Sequence, residues 1–86
     1  MDNAFDESAG YAIIAAMAPH PLPRVGAETH LRDDLMFDSI RLIELAMALE
    51  RQFRLPSLDL NESTDLTTAG DVLNLVRRQL KTGGEA

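Results

Sequence analysis

One stretch restricts the fold more than any other. Between Asp38 and Arg54 apolar residues return at helical spacing: Leu42, Leu45, Ala46, Leu49 and Phe53. At roughly 100° per residue they share an arc of about 100°, the width of a stripe that faces a core. Asp38 and Ser39 open this helix. A carboxylate at Asp38 suits the N-cap and the positive end of the helix dipole, and Arg51 and Arg54 suit the negative end. Pro56 lacks the amide hydrogen needed to continue, so the helix runs to about Arg54.

The flanking segments follow the same period. Residues from about Asn3 to Ala18 are alanine-rich and predict a first helix. Ile13, Ile14 and Met17 lie on one side of it, and Phe5, Ala9, Ala12 and Ala16 on another, so the pattern leaves its buried face open. Gly10 weakens it by about 1 kcal/mol relative to alanine. Pro19, Pro21 and Pro23 end it and begin a long loop to about Asp38, for which Val25, Leu31, Leu35 and Phe37 are the available anchors. Leu31 to Leu35 has room for a single turn. The polar segment Ser57 to Asp65 has room for one short helical turn after Asn61. A last helix starts at Thr68, with Asp71 three residues on in an approximate capping box. It places Ala69, Val72, Leu73, Val76 and Leu80 on one face, carries Arg77, Arg78 and Lys81 near its end, and is followed by Gly83. No stretch alternates as a strand does. The fold class is all-α, a small four-helix bundle with three main helices and one short one.

Eighty-six residues support a single domain, 1–86, with residues 1–4 and 82–86 expected to fray. A chain of this size buries about 60–65% of the surface its unfolded form exposes. With no cysteine, disulfides and thiolate metal sites are excluded, and any thiol chemistry has to come from an added group. Acidic residues outnumber basic ones, leaving a net charge of −6, which repels nucleic acid and anionic membranes and attracts basic protein surfaces. Asp2, Asp6 and Glu7 interrupt any signal-like start, and no apolar run is long enough to span a bilayer. A cytoplasmic monomer, not inserted in membranes, is expected. His20 and His30 have no metal-ligand spacing and read as solvated loop residues.

The second helix carries more apolar surface than a core requires. Ile40, Ile43 and Met47 form a second stripe about 60° wide, away from the first and flanked by Glu44 and Glu50. Either the helix is central and buried nearly all round, or Ile40, Ile43 and Met47 are scattered exposed residues of the normal kind, or this stripe is an exposed apolar patch rimmed by carboxylates, suited to a basic partner. Ser39 has a parallel ambiguity. Asp-Ser before an apolar run is ordinary capping, yet a phosphodiester on that serine would lie at a helix N-terminus, where free amides and the dipole favour an anion.

Asp34-Leu35, then Asp38-Ser39, then Glu44-Leu45, Leu49-Glu50 and Phe53 stand at the spacing of the modification site and following helix of acyl carrier proteins. Asp65-Leu66-Thr67-Thr68-Ala69-Gly70-Asp71-Val72 resembles that family's entry into its last helix. The resemblance covers about residues 28 to 80. Met36 stands where the family usually has glycine, and Ile40 where it usually has leucine. Met36 implies a loop backbone that does not need a glycine-only conformation, and it adds apolar surface beside the serine.

The resemblance implies a carrier rather than an enzyme. Ser39 would receive a 4'-phosphopantetheine arm from coenzyme A through a phosphopantetheinyl transferase. Acyl-type cargo would ride as a thioester and be presented to a loading ligase and to downstream synthase or transferase enzymes. Asp34, Met36, Asp38, Ile40, Ile43, Glu44, Met47 and Glu50 would form the partner-binding face. The departures at Met36 and Ile40, the divergent segment between Phe53 and the last helix, and Arg41, Arg51 and Arg54 on the second helix point to specialised lipid or secondary metabolism rather than housekeeping fatty-acid synthesis. Met36 and Ile40 leave open a stand-alone aminoacyl or peptidyl carrier. Outside the family, the competing reading is an unmodified helical interaction module in which Ser39 only caps its helix.

Overall fold

The computed structural model describes residues 6–60 and 66–83. Three helices follow in order: α1 Glu7–Met17, α2 Ser39–Phe53 and α3 Ala69–Gly83. The short helical turn expected after Asn61 lies outside the described residues.

α1 is shorter than the alanine-rich run from Asn3 to Ala18. Asp6 stands outside it in an extended conformation, and its carboxylate accepts the N–H of Ala9 at 3.3 Å. A capped aspartate fixes the start where composition alone extends the helix. The face left open by its pattern is settled by Gly10 and Ile14, which are buried. Gly10 is there for packing. A Cβ on it would lie 2.6 Å from one terminal carbon of the buried Leu73, so the missing side chain lets α3 approach closely. Arg77 pairs with Glu7 across the same two helices, at the surface, where such a pair adds little.

α2 and α3 bury the stripes that their periodicity predicts: Leu42, Leu45, Ala46 and Leu49 from one, Ala69, Val72, Leu73 and Val76 from the other. Phe53 and Leu80 are partly buried against the same cluster. Among the described residues, six of the fifteen buried apolar side chains come from the connections instead: Leu31, Leu35, Phe37, Leu55, Leu58 and Leu60. The connections are therefore part of the core, each such leucine contributing about 1.5–3 kcal/mol by its burial.

The first connection is also sewn to α3 through the backbone. Leu31 N–H donates to Thr67 O at 2.9 Å, Ala69 N–H to Thr29 O at 2.8 Å and Gly70 N–H to Ala27 O at 3.0 Å. His30 and Thr68 consequently form an isolated antiparallel bridge. Asp71 holds the other side of this junction. Its carboxylate accepts the N–H groups of Thr67 at 2.9 Å and Thr68 at 3.0 Å, while Thr68 Oγ1 accepts the N–H of Asp71 at 3.2 Å. The approximate capping box of the sequence is thus a reciprocal one. The last helix begins at Ala69 and includes Gly83 as its final residue.

The backbone bonds from Thr67 and then Thr68 hold the Asp71 carboxyl below its ordinary value of 3.8. The folded chain thus releases that proton more readily than the unfolded chain. The resulting stabilisation is complete above the ordinary value and is lost as pH falls through the lower folded one. Asp71→Asn should therefore unfold at lower denaturant than the parent near neutral pH. The gap should narrow as the pH is taken below about 4; urea titrations across that range measure it.

The close backbone approach at Gly70 supplies a second expectation. A Cβ there would lie 2.7 Å from the carbonyl oxygen of Ala27, whereas one on Gly26 meets nothing within 4 Å. Gly70→Ala should cost about 1–3 kcal/mol, because backbone has to give way. Gly26→Ala should be neutral or stabilising by up to about 1 kcal/mol. Thermal melts of the two variants side by side test the pair.

Candidate functional site

The approach to α2 is built from alternating inward and outward residues. Leu35 and Phe37 are buried, while Asp34, Met36 and Asp38 are exposed. Backbone bonds hold this alternation. Leu35 N–H donates to His30 O at 3.1 Å, Phe37 N–H to Leu31 O at 2.9 Å, and His20 N–H returns to Leu35 O at 3.0 Å. Asp34 adds its carboxylate as acceptor for the N–H of His30 at 2.8 Å.

Met36, between the two buried residues, has φ of 65°. This corrects the expectation from its sequence: the backbone here is in the left-handed region that glycine adopts freely and a side chain enters at a cost of about 1–2 kcal/mol. The signal was present in the position itself, where the resembling family carries glycine. The chain keeps that backbone geometry and supports a methionine on it.

Asp38 follows in an extended conformation, and its carboxylate accepts the N–H of Arg41 at 2.8 Å. Its own carbonyl accepts from Leu42 N–H at 2.9 Å, so the first helical bond starts there. Ser39 is the first residue of α2 and is exposed. The buried-all-round alternative for this helix does not hold. Ile40 is 69% exposed, Met36 58%, Met47 53% and Ile43 52%, all large apolar side chains facing outward.

The carboxylates around this face have more local work than the sequence suggested. Glu44 lies 3.8 Å from Arg41, one helical turn away. Asp34 and Asp38 hold backbone groups as described. Glu50 is half-buried and accepts the N–H of Leu58 at 2.7 Å, a bond spanning eight residues. It fastens the chain after α2 back onto the helix that precedes it. No sequence pattern announces that bond, since its donor is a backbone group in an irregular segment. Between them, Ile43 and Met47 on one side and Leu58 and Leu60 on the other line a groove of about 380 Å³.

His30 Nδ1 lies 3.7 Å from Asp33, an exposed pair. Among the described residues, no three His, Cys, Asp or Glu side chains are placed to hold a metal ion.

The residues at the start of α2 fit a phosphate-linked group. An exposed serine stands at the positive end of a fifteen-residue helix, and its carboxylate neighbour Asp38 is occupied with a backbone N–H. Residues 11–77 match a family model described as a phosphopantetheine attachment site. The matched span contains the whole of α2, the loop that leads into it and the first part of α3.

Glu50→Ala should remove the fastening and leave the Leu58 N–H without its acceptor, at a cost of about 1–2 kcal/mol. Glu50→Gln, which keeps an acceptor oxygen, should lose less. Denaturant unfolding of both variants measures the difference.

Proposed function

The chain belongs to the phosphopantetheine attachment family, and from that premise we propose that Ser39 is the residue that carries the arm. The family bears covalently attached 4'-phosphopantetheine, and its members are non-catalytic carriers that work with a phosphopantetheinyl transferase and with partner enzymes. One observation supports the choice of residue above all: Ser39 is exposed at the first position of α2, inside the matched span, immediately after the aspartate that caps the helix.

The chemistry follows from that position. The Ser39 hydroxyl attacks the pyrophosphate of coenzyme A on the transferase. A phosphorus–oxygen bond forms to Ser39 Oγ, another breaks to release the adenosine bisphosphate half, and a base on the transferase takes the hydroxyl proton. When bound, the arm supplies the terminal thiol that this cysteine-free chain lacks, and cargo is held there as a thioester. Asp38 keeps the helix start in place by holding Arg41 N–H. The helix dipole stabilises the phosphodiester charge.

Ile40, Ile43 and Met47, with Met36 beside them, form the apolar centre of the partner-binding face. Asp34, Asp38, Glu44 and Glu50 stand at or near its edges. Such a face suits brief encounters with several enzymes, and methionine adapts well to different partners. We read the cargo as acyl, because the groove beside Ile43 and Met47 has leucines on its far wall and begins one helical turn along from Ser39. An aminoacyl cargo is the second reading. Mass measured after separate incubation of the arm-bearing protein with an acyl-loading ligase and with an aminoacyl-adenylating enzyme separates the two. Specialised lipid or secondary metabolism, a single 1–86 carrier domain, and a monomer working in the cytoplasm complete the proposal. No helix among the described residues is long and apolar enough to cross a membrane.

Incubation with a broad-specificity transferase and coenzyme A should add the mass of one arm to the protein. Ser39→Ala should abolish that addition while keeping the helical circular dichroism of the parent. Unchanged mass for the parent, beside a control carrier that is modified, defeats the assignment.

A further inference from the structure

We propose that Met36 is a specificity-determining residue for the enzyme that modifies Ser39: a phosphopantetheinyl transferase must cover its apolar side chain to reach that hydroxyl. The inference rests on the assignment of Ser39 above.

The argument begins with a residue whose presence folding does not explain. Met36 occupies a backbone conformation that favours glycine, φ 65°. Its side chain does not repay that by burial, being 58% exposed, while the packing of this segment is carried by its neighbours Leu35 and Phe37. A strained conformation bearing an exposed apolar side chain three residues before a reactive group points to recognition rather than stability. Any enzyme that brings coenzyme A to Ser39 has to approach this end of α2, where Met36 and Ile40 stand on either side of the serine in sequence and both face outward. The nearby charges are largely engaged with the chain itself: Asp38 holds Arg41 N–H, and Arg41 pairs with Glu44. The apolar side chain of Met36 adds a contact that these charges do not supply. The partner it fits has a hydrophobic recess beside its catalytic cleft, able to take a flexible unbranched side chain.

The test compares the parent with Met36→Gly, Met36→Asn and Met36→Leu, using a broad-specificity transferase and coenzyme A. It reads kcat, KM, final added mass and melting temperature. Glycine and asparagine both accept the left-handed backbone without an apolar side chain, and leucine restores one. Met36→Gly and Met36→Asn should melt no lower than the parent yet lose about fivefold in kcat/KM, chiefly through KM. Met36→Leu should modify at close to the parental rate, and all four should reach full mass with excess enzyme. Equal kcat/KM for Met36→Gly and parent overturns the proposal. So does a loss of rate that tracks a falling melting temperature, since Met36 would then serve the loop and not the enzyme. If the parent itself gains no mass, the Ser39 assignment has failed and this inference falls with it. Full mass at one common rate removes only the role of Met36.

Discussion

The position of Ser39 depends on a single carboxylate. Asp38 accepts the N–H of Arg41, and through its carbonyl it starts the helical ladder at Leu42. A helix end leaves its first amides unsatisfied, so the residue that satisfies one also decides where the helix begins. Here that decision puts the serine in the first turn and the leucine stripe against the core. A start one residue later would leave the serine outside the helix.

What anchors Asp38 in turn is the loop before it. Leu31, Leu35 and Phe37 are buried, and backbone bonds tie the segment around Ala27 to Leu31 onto the start of α3. Asp71 reinforces that junction from the α3 side. The entrance to α2 is therefore held by contacts with the far end of the chain. A loop treated this way behaves as structure rather than as a tether, which agrees with its share of the core.

Much of this was legible in the residues. Period alone located α2 and α3 and identified their buried stripes, because Leu42, Leu45, Leu49, Val72 and Val76 have few other uses at that spacing. Asp38 as cap, Ser39 in the first turn and an apolar surplus at Ile40, Ile43 and Met47 were also readable. The exposure of that surplus was not, since periodicity describes a face but not what covers it. The sewing of the first connection to α3 was hidden for a different reason. It runs through backbone N–H and carbonyl groups, which every residue except proline offers alike, so it leaves no mark on side-chain pattern. The bond that Glu50 makes was hidden for the same cause, its donor being the backbone of Leu58. Met36 had a visible clue in the glycine it replaces, but the substitution argued for an ordinary backbone and the structure shows the reverse.

Left-handed residues stand on both sides of α2, Met36 shortly before its cap and Arg54 at its C-cap. A right-handed helix cannot grow through such a residue without first reversing it. α2 is thus clamped in length, unable to borrow a turn from either flank when a visiting protein pulls on it. On the proposed attachment at Ser39, this means that the root of the swinging arm keeps one height and one bearing throughout the relay.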